Sequence, residues 1–224
     1  MGMLCAASLH ASVAQVNITG AMRNTMFNGQ LAGLIAMDSL QTTGTYGSGP
    51  LEYLRGEILV WDGVPFVSVA TSDSSMDLSI RPAAKAPFFV HARVKAWQSM
   101  ELPDSVVDLA TLDGFLTNIL SFRNTPVPFK LTGVVELAEV HVVDLPAGSE
   151  VRSPDDAHLG RKSFTRKEVQ ADLLGFFSTR HKAVFTHHDT NIHVHLIDVD
   201  RKWMGHVDRL RLEPSAMRLF VAVP

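Results

Sequence analysis

Apolar and polar side chains alternate every second residue along much of this chain, the mark of half-buried strands, and helical spacing is confined to three places. "GEILVWDGVPFVSVA" sets two apolar runs either side of Asp62-Gly63, a dipeptide that tolerates the positive φ angles of a tight turn, and predicts a hairpin. "APFFVHARV" reads as another strand, and "PFKLTGVVELAEVHVVDLP" as two strands or one bent one. "KAVFTHHDTNIHVHLIDV", "MGHVDRLRL" and "MRLFVAV" supply three closing strands, and "TTGTYGSGP" reads as a glycine-rich loop.

Of the helical stretches, "NITGAMRNTMFNGQLAGL" offers Thr19 as a cap, apolar Met22, Met26 and Phe27, and Gly29 as a stop. "PDSVVDLATLDGFLTNILSF" spaces Val107, Leu109, Leu112, Leu116, Ile119 and Leu120 along one amphipathic face after an Asp/Ser cap. "SFTRKEVQADLLGFFS" predicts a helix capped by Ser163. This order predicts an α+β fold that is mainly β, with two packed mixed or antiparallel sheets, or half-barrels, and a few helices. The expected division is a leader or signal remnant over 1–19, an N-terminal β-rich domain over 20–125 and a C-terminal β-rich domain over 126–224.

At 224 residues, 46% of them hydrophobic, the chain suits one or two globular domains. Twenty basic against 23 acidic residues leave a formal charge of -3, with no basic run of the kind that binds nucleic acid. No apolar stretch approaches the roughly 20 residues needed to cross a bilayer. The single cysteine, Cys5, excludes an internal disulfide framework and a CxxC metal knuckle. Chemistry must therefore come from histidines, carboxylates and amines. The stretch "MLCAASLHASVAQ" is small and apolar with Ser12-Val13-Ala14 as a cleavage site, yet lacks a basic start, so both an exported and a cytoplasmic location stay open.

One segment concentrates histidine. In "NIHVHLIDVDRKWMGHV", Ile192, Val194 and Leu196 alternate with His193 and His195, so the two imidazoles share a strand face. If the chain doubles back near Asp200 and Arg201, His206 lies close to opposite His195. Three imidazoles would converge, the ligand set of a catalytic zinc site with an open position for water or substrate. His141, His158 and His181 stand alone and carry no assigned role, and at most one of the adjacent His187 and His188 could approach the site. A cupin also places HxH on a strand, but it wants a Glu soon after the pair and its last His much further on. Here Asp198 and Asp200 follow, and His206 comes too soon.

The segment "HVHLIDVDRKWMGHV" resembles the acetolactate decarboxylases, bacterial zinc enzymes that carry HxH, ten further residues and then a His preceded by Gly. Upstream, "GSGPLEYLRGE" is similar to the family's "GxGxFxxLDGE" and puts Glu57 on its glutamate. "LVWDGVPF" matches the strand-turn-strand that follows. "RNTPVPFKLTG" (residues 123 to 133) is similar to "RNxxYAIRIDG", and "GFFS" to "GFxT". The motifs occur in order over roughly residues 20 to 224.

The resemblance implies decarboxylation of 2-acetolactate to acetoin, a step of acetoin biosynthesis, with Zn2+ on His193, His195 and His206. An ionised Glu57 would relay or return the proton. Lys130, standing where the family has an active-site arginine, would hold the substrate carboxylate without arginine's two-pronged fork. The implied partners are a small 2-hydroxy-3-keto acid and a second copy in a homodimer, with no nucleic acid and no membrane. Pro50 stands where the family has Thr, and the family's second functional glutamate lies in a tail beyond the position of Pro224. These departures keep open an alternative, a zinc-bound β-rich binding module that has lost the activity.

Overall fold

The computed structural model describes residues 14–223, so most of the expected leader lies outside the described residues. In chain order the elements are β1 (Val16–Thr19), α1 (Met22–Asn28), β2 (Ile35–Ala36), β3 (Thr45–Pro50), β4 (Glu57–Trp61), β5 (Val64–Ala70), β6 (Met76–Ile80), β7 (Lys85–Ala86), β8 (Phe89–Arg93) and β9 (Trp97–Glu101). They continue as α2 (Leu109–Leu120), β10 (Val127–Val142), α3 (Pro154–Ala157), β11 (Lys162–Phe177), β12 (Ile192–Asp198) and β13 (Met204–Ala222). The fold is α+β and mainly β, as the alternation predicts. Among the described residues no helix is long and apolar enough to cross a membrane.

A six-stranded antiparallel sheet runs β1-β8-β3-β4-β5-β6. A second sheet runs β10-β11-β12-β13-β9, and β10 pairs with β13 as well, so β10 to β13 close on themselves. β9 precedes the expected boundary at residue 125 but bonds to the second sheet, Leu219 opposite Met100. The closed strands point Phe129, Leu131, Leu173, Val194, Leu196, Val207 and Leu219 into one apolar core, against which the buried Leu112, Leu116 and Leu120 of α2 pack. Each such side chain stabilises the fold by about 1.5–3 kcal/mol relative to exposure. Their neighbours, including Leu174, Phe176, Ile197 and Met204, point outward and pack with Leu59, Val90 and Ala92 of the first sheet.

Asp62 (φ 51°) and Gly63 (φ 82°) make the tight turn of the β4–β5 hairpin. Asp108 caps α2, accepting from the Thr111 amide while the Thr111 hydroxyl accepts from the Asp108 amide. Gly29 ends α1 in the left-handed conformation, but its cap is Ala21 and not Thr19.

Three expectations are corrected. "SFTRKEVQADLLGFFS" is strand β11: its first half exposes the polar run 165–168 and only residues 173–177 are buried on both faces, so a polar stretch followed by an apolar one mimics a capped helix. "TTGTYGSGP" contains the buried strand β3: a Cβ on Gly47 would sit 2.5 Å from the Phe89 ring, so this glycine makes room and does not turn the chain. The last two expected strands are one, β13, 19 residues long. "PFKLTGVVELAEVHVV" is a single 16-residue strand, β10, bent at register shifts after Gly133.

Gly175 on β11 faces Phe129 on β10, whose ring atoms lie within 2.6 Å of where a Cβ would stand. Gly175→Ala should therefore destabilise the protein by about 1–3 kcal/mol through overpacking. Urea unfolding is the measurement, and an unchanged midpoint would show that the ring has room to move.

Candidate metal centre

Residues directly opposite each other on antiparallel strands share a face. His195 on β12 is opposite His206 on β13, and His206 is opposite His141 on β10. Three imidazoles thus stand in one row across three adjacent strands, on the outer face of the closed sheet, with His193 two residues along β12. The chain does reverse near Asp200 and Arg201: Asp198 Oδ1 accepts the amides of Lys202 (2.7 Å) and Trp203 (2.9 Å), and Arg201 has φ 55°. Gly205 lets β13 come this close, since a Cβ there would lie 2.5 Å from the carbonyl oxygen of His141.

The ring centres of His193, His195 and His206 form a near-equilateral triangle with sides of 4.9, 5.0 and 5.4 Å. Imidazoles bound at about 2.0–2.1 Å in a tetrahedral array have ring centres about 5 Å apart. Nε2 of His193 and Nε2 of His195 face each other at 3.0 Å. Among the described residues, Nδ1 of all three rings and Nε2 of His206 have no hydrogen-bond partner. Burial drives His193 and His195 well below the ordinary imidazole range and His206 down to about 3, so all three are neutral and able to ligate at physiological pH. Neutral imidazoles at this ring spacing, with Nε2 of His193 and His195 facing each other and Nε2 of His206 unpartnered, fit the donor set of a divalent ion of the zinc type.

The first sheet covers this face. Pro50, Leu54, Glu57 and Phe88 enclose, with His141, His158, His187, His193, His195 and His206, a space of about 30 Å3. Glu57 Oε2 is 3.9 Å from His195 Nε2, and Oε1 accepts the Val143 amide at 3.4 Å. Burial pushes the Glu57 carboxyl up to about 8, although the Val143 bond pulls the other way. The ionised Glu57 expected from sequence therefore requires a cation beside it.

Lys130 lies elsewhere. It shares the register row of Leu174 and His195 but does not line the histidine pocket. Its Nζ sits among four rings, 4.8 Å from the centre of Trp97, 5.1 Å from Phe220, 5.6 Å from Trp61 and 5.7 Å from Tyr46. Burial lowers its pKa, against the attraction of Asp172 and Asp62.

Sequence reasoning gave no role to His141, His158 or Asp208 and did not favour His187. Yet single nitrogens of His141 and His206 and one oxygen of Asp208 lie within 4.8 Å of one another, a second group able to hold a metal. The signal was available only as register: a strand ladder pairing residues 141 and 206. His187 also lines a groove of about 780 Å3 beside the pocket, with Asp113, Asn191, His206 and Asp208.

Two β-sheets clasping a pocket of unpartnered imidazoles define a metal-competent β-protein of the histidine-ligand class. The chain belongs to the alpha-acetolactate decarboxylase family, whose model matches residues 16–222. An alpha-acetolactate decarboxylase of Brevibacillus brevis is 25% identical over 202 residues, covering 88% of this chain and 66% of that protein. The chain thus spans just under two thirds of that relative's length. A Staphylococcus aureus protein of unknown function, described as similar to alpha-acetolactate decarboxylase, superposes with a TM-score of 0.79 at 18% identity, covering 93% of this chain and 85% of that one. The acetolactate decarboxylase of Bacillus subtilis subspecies spizizenii gives 0.77 at 18% identity, over 94% and 87%. At this identity the superpositions show a common fold.

Two outcomes follow. An unfolded Glu57 loses its proton near 4.5 and the folded one near 8, so Glu57 makes the metal-free protein less stable as pH rises between these values. Glu57→Gln, which keeps an acceptor for Val143, should raise the urea midpoint at pH 8.5 more than at pH 4.5; equal shifts would contradict the raised pKa. Lys130→Ala should cost about 1–2 kcal/mol of stability through the lost cation–π contacts and leave metal content unchanged. Loss of metal with full stability would move Lys130 into the pocket's chemistry.

Proposed function

We propose that this protein is a zinc-dependent decarboxylase of 2-acetolactate or a closely similar 2-hydroxy-3-keto acid, releasing acetoin or its analogue. The observation that carries the reading is the triangle of unpartnered imidazoles beside a buried glutamate, in a chain of this family. His193, His195 and His206 would hold the ion. When bound, Zn2+ supplies Lewis acidity toward the electron pair that departing CO2 leaves behind.

The chain's own groups do the rest. Glu57, held by the Val143 amide, sits where one carboxyl can take the proton of the substrate hydroxyl and return a proton to the carbon that lost CO2. The net reaction consumes one proton, which comes from solvent and restores the hydroxyl that Glu57 deprotonated. Leu54, Phe88 and Met22 give the enclosed space beside Glu57 an apolar wall. The enclosed 30 Å3 holds an ion or a water, not a five-carbon acid. The substrate therefore approaches from the adjoining groove, where His187 and His206 line both spaces.

A second reading has its own support. The cation that would replace the family's arginine lies half-buried against aromatic rings and outside the histidine pocket, which favours a metal-binding module without the activity.

Zinc-loaded protein given racemic 2-acetolactate should form acetoin well above the free-zinc background. Elemental analysis should find about one zinc per chain, lost in His193→Ala or His206→Ala. Full zinc with no acetoin would reject the decarboxylase in favour of the binding module.

A further inference from the structure

Asp208 stands two residues beyond His206 on the same face of β13, and both of its oxygens are already engaged. Nδ1 of His141 lies 2.8 Å from Oδ1, and the Arg161 guanidinium donates to Oδ2 over 2.5 Å. An ionised carboxylate can only accept, so the hydrogen between His141 and Asp208 belongs to Nδ1 of the imidazole. Nδ1 of His206 lies 3.8 Å from the same Oδ1 and has no other partner. His141 and His206 stack with ring centres 4.7 Å apart and an interplanar angle of 33°, so both turn the same edge toward the carboxylate.

His141, His206 and Asp208 could as a donor set hold an ion of their own. Two features argue against it. A ligating nitrogen must offer a lone pair, and Nδ1 of His141 carries a proton. A guanidinium already occupies the other oxygen, so a second cation would have to displace it or sit against its charge.

We propose that Asp208 is a positioning residue for the metal centre, receiving Nδ1–H from both His141 and His206. It thereby fixes the tautomer that leaves Nε2 of each ring as a bare lone pair, and Arg161 holds the carboxylate in place. The inference rests on the reading of His206 as a metal ligand. Nε2 of His206 then completes the triangle with His193 and His195, while His141 presents a further lone pair to the pocket. A carboxylate behind a ligating imidazole orients the ring and raises its basicity, and losing it costs typically 10–100-fold in metal affinity.

The test uses Zn2+ alone and the full chain. In metal-free protein, long-range 15N–1H correlation of the imidazoles should find His141 and His206 as Nδ1–H tautomers, and in Asp208→Asn both should shift toward Nε2–H. Competition with a chromophoric chelator should show zinc affinity falling about 10–100-fold in Asp208→Asn, with partial recovery in Asp208→Glu. Unchanged affinity overturns the proposal, as does a His206 that is Nε2–H in the native protein, a measurement that needs no variant to fold. Zinc X-ray absorption showing one oxygen neighbour lost in Asp208→Asn would make Asp208 a ligand, which also overturns it. Native protein that takes up no zinc defeats the metal reading and this inference together. Zinc bound without acetoin formed defeats only the decarboxylase.

Discussion

Closure of β10 to β13 is the constraint on which the rest of the molecule depends. Once these strands pair in a ring, every side chain on them points either into an apolar interior or outward, and parity along the strand decides which. The interior is filled by branched and aromatic side chains, so polar chemistry has only the outer face. There the ladder sets distances as well as direction. Neighbouring strands lie about 4.7–4.9 Å apart, and that spacing brings the rings of His141, His206 and His195 to 4.7 and 5.4 Å from one another. No loop has to be shaped to make the cluster. The six-stranded sheet then closes over it and contributes Glu57.

The price of this arrangement is solvation. Each buried polar group left without a partner costs about 1–3 kcal/mol, and the three rings leave four such nitrogens. An ion held by the Nε2 atoms would give one of the four, Nε2 of His206, a partner, and by binding the folded chain alone it would stabilise by mass action. Lys130 shows the opposite solution on the same face. Its half-buried ammonium lies against four aromatic rings, one of them Phe220, its partner on β13. One cluster is complete only with something added; the other is complete as it stands.

How much of this could be read from the residues varied with how local the cause was. His193 and His195 share a face because of a two-residue period, and the reversal at Arg201 set His206 against His195; both followed from short-range pattern. The hairpin at Asp62-Gly63 and the cap at Asp108 were legible for the same reason. β11 was not, because an exposed polar run at 165–168 and burial on both faces at 173–177 together erase the alternation that marks a strand. β3 was not, because its glycines answer to Phe89, some forty residues away. His141 lies 65 positions before His206, and only the pairing of β10 with β13 unites them. The surroundings of Lys130 were not legible either, because the aromatic rings around it come from four different strands.

Helix α2 has two faces with different freedoms. Leu112, Leu116 and Leu120 are locked into the core, whereas Ala110, Asp113, Gly114, Thr117 and Asn118 form a wall of the groove beside the histidines. Asp113 anchors the loop opposite, accepting from Thr190, from the Asn191 amide at 2.9 Å and from the Asn191 side chain at 3.1 Å. A Cβ at Gly114 would meet nothing within 4 Å. Side chains can therefore be exchanged at 110, 114 and 118 without disturbing either the barrel or the imidazoles. Relatives that share this scaffold have a ready means of divergence: the shape of what is admitted can drift along one helical stripe while the chemistry behind it stays inherited.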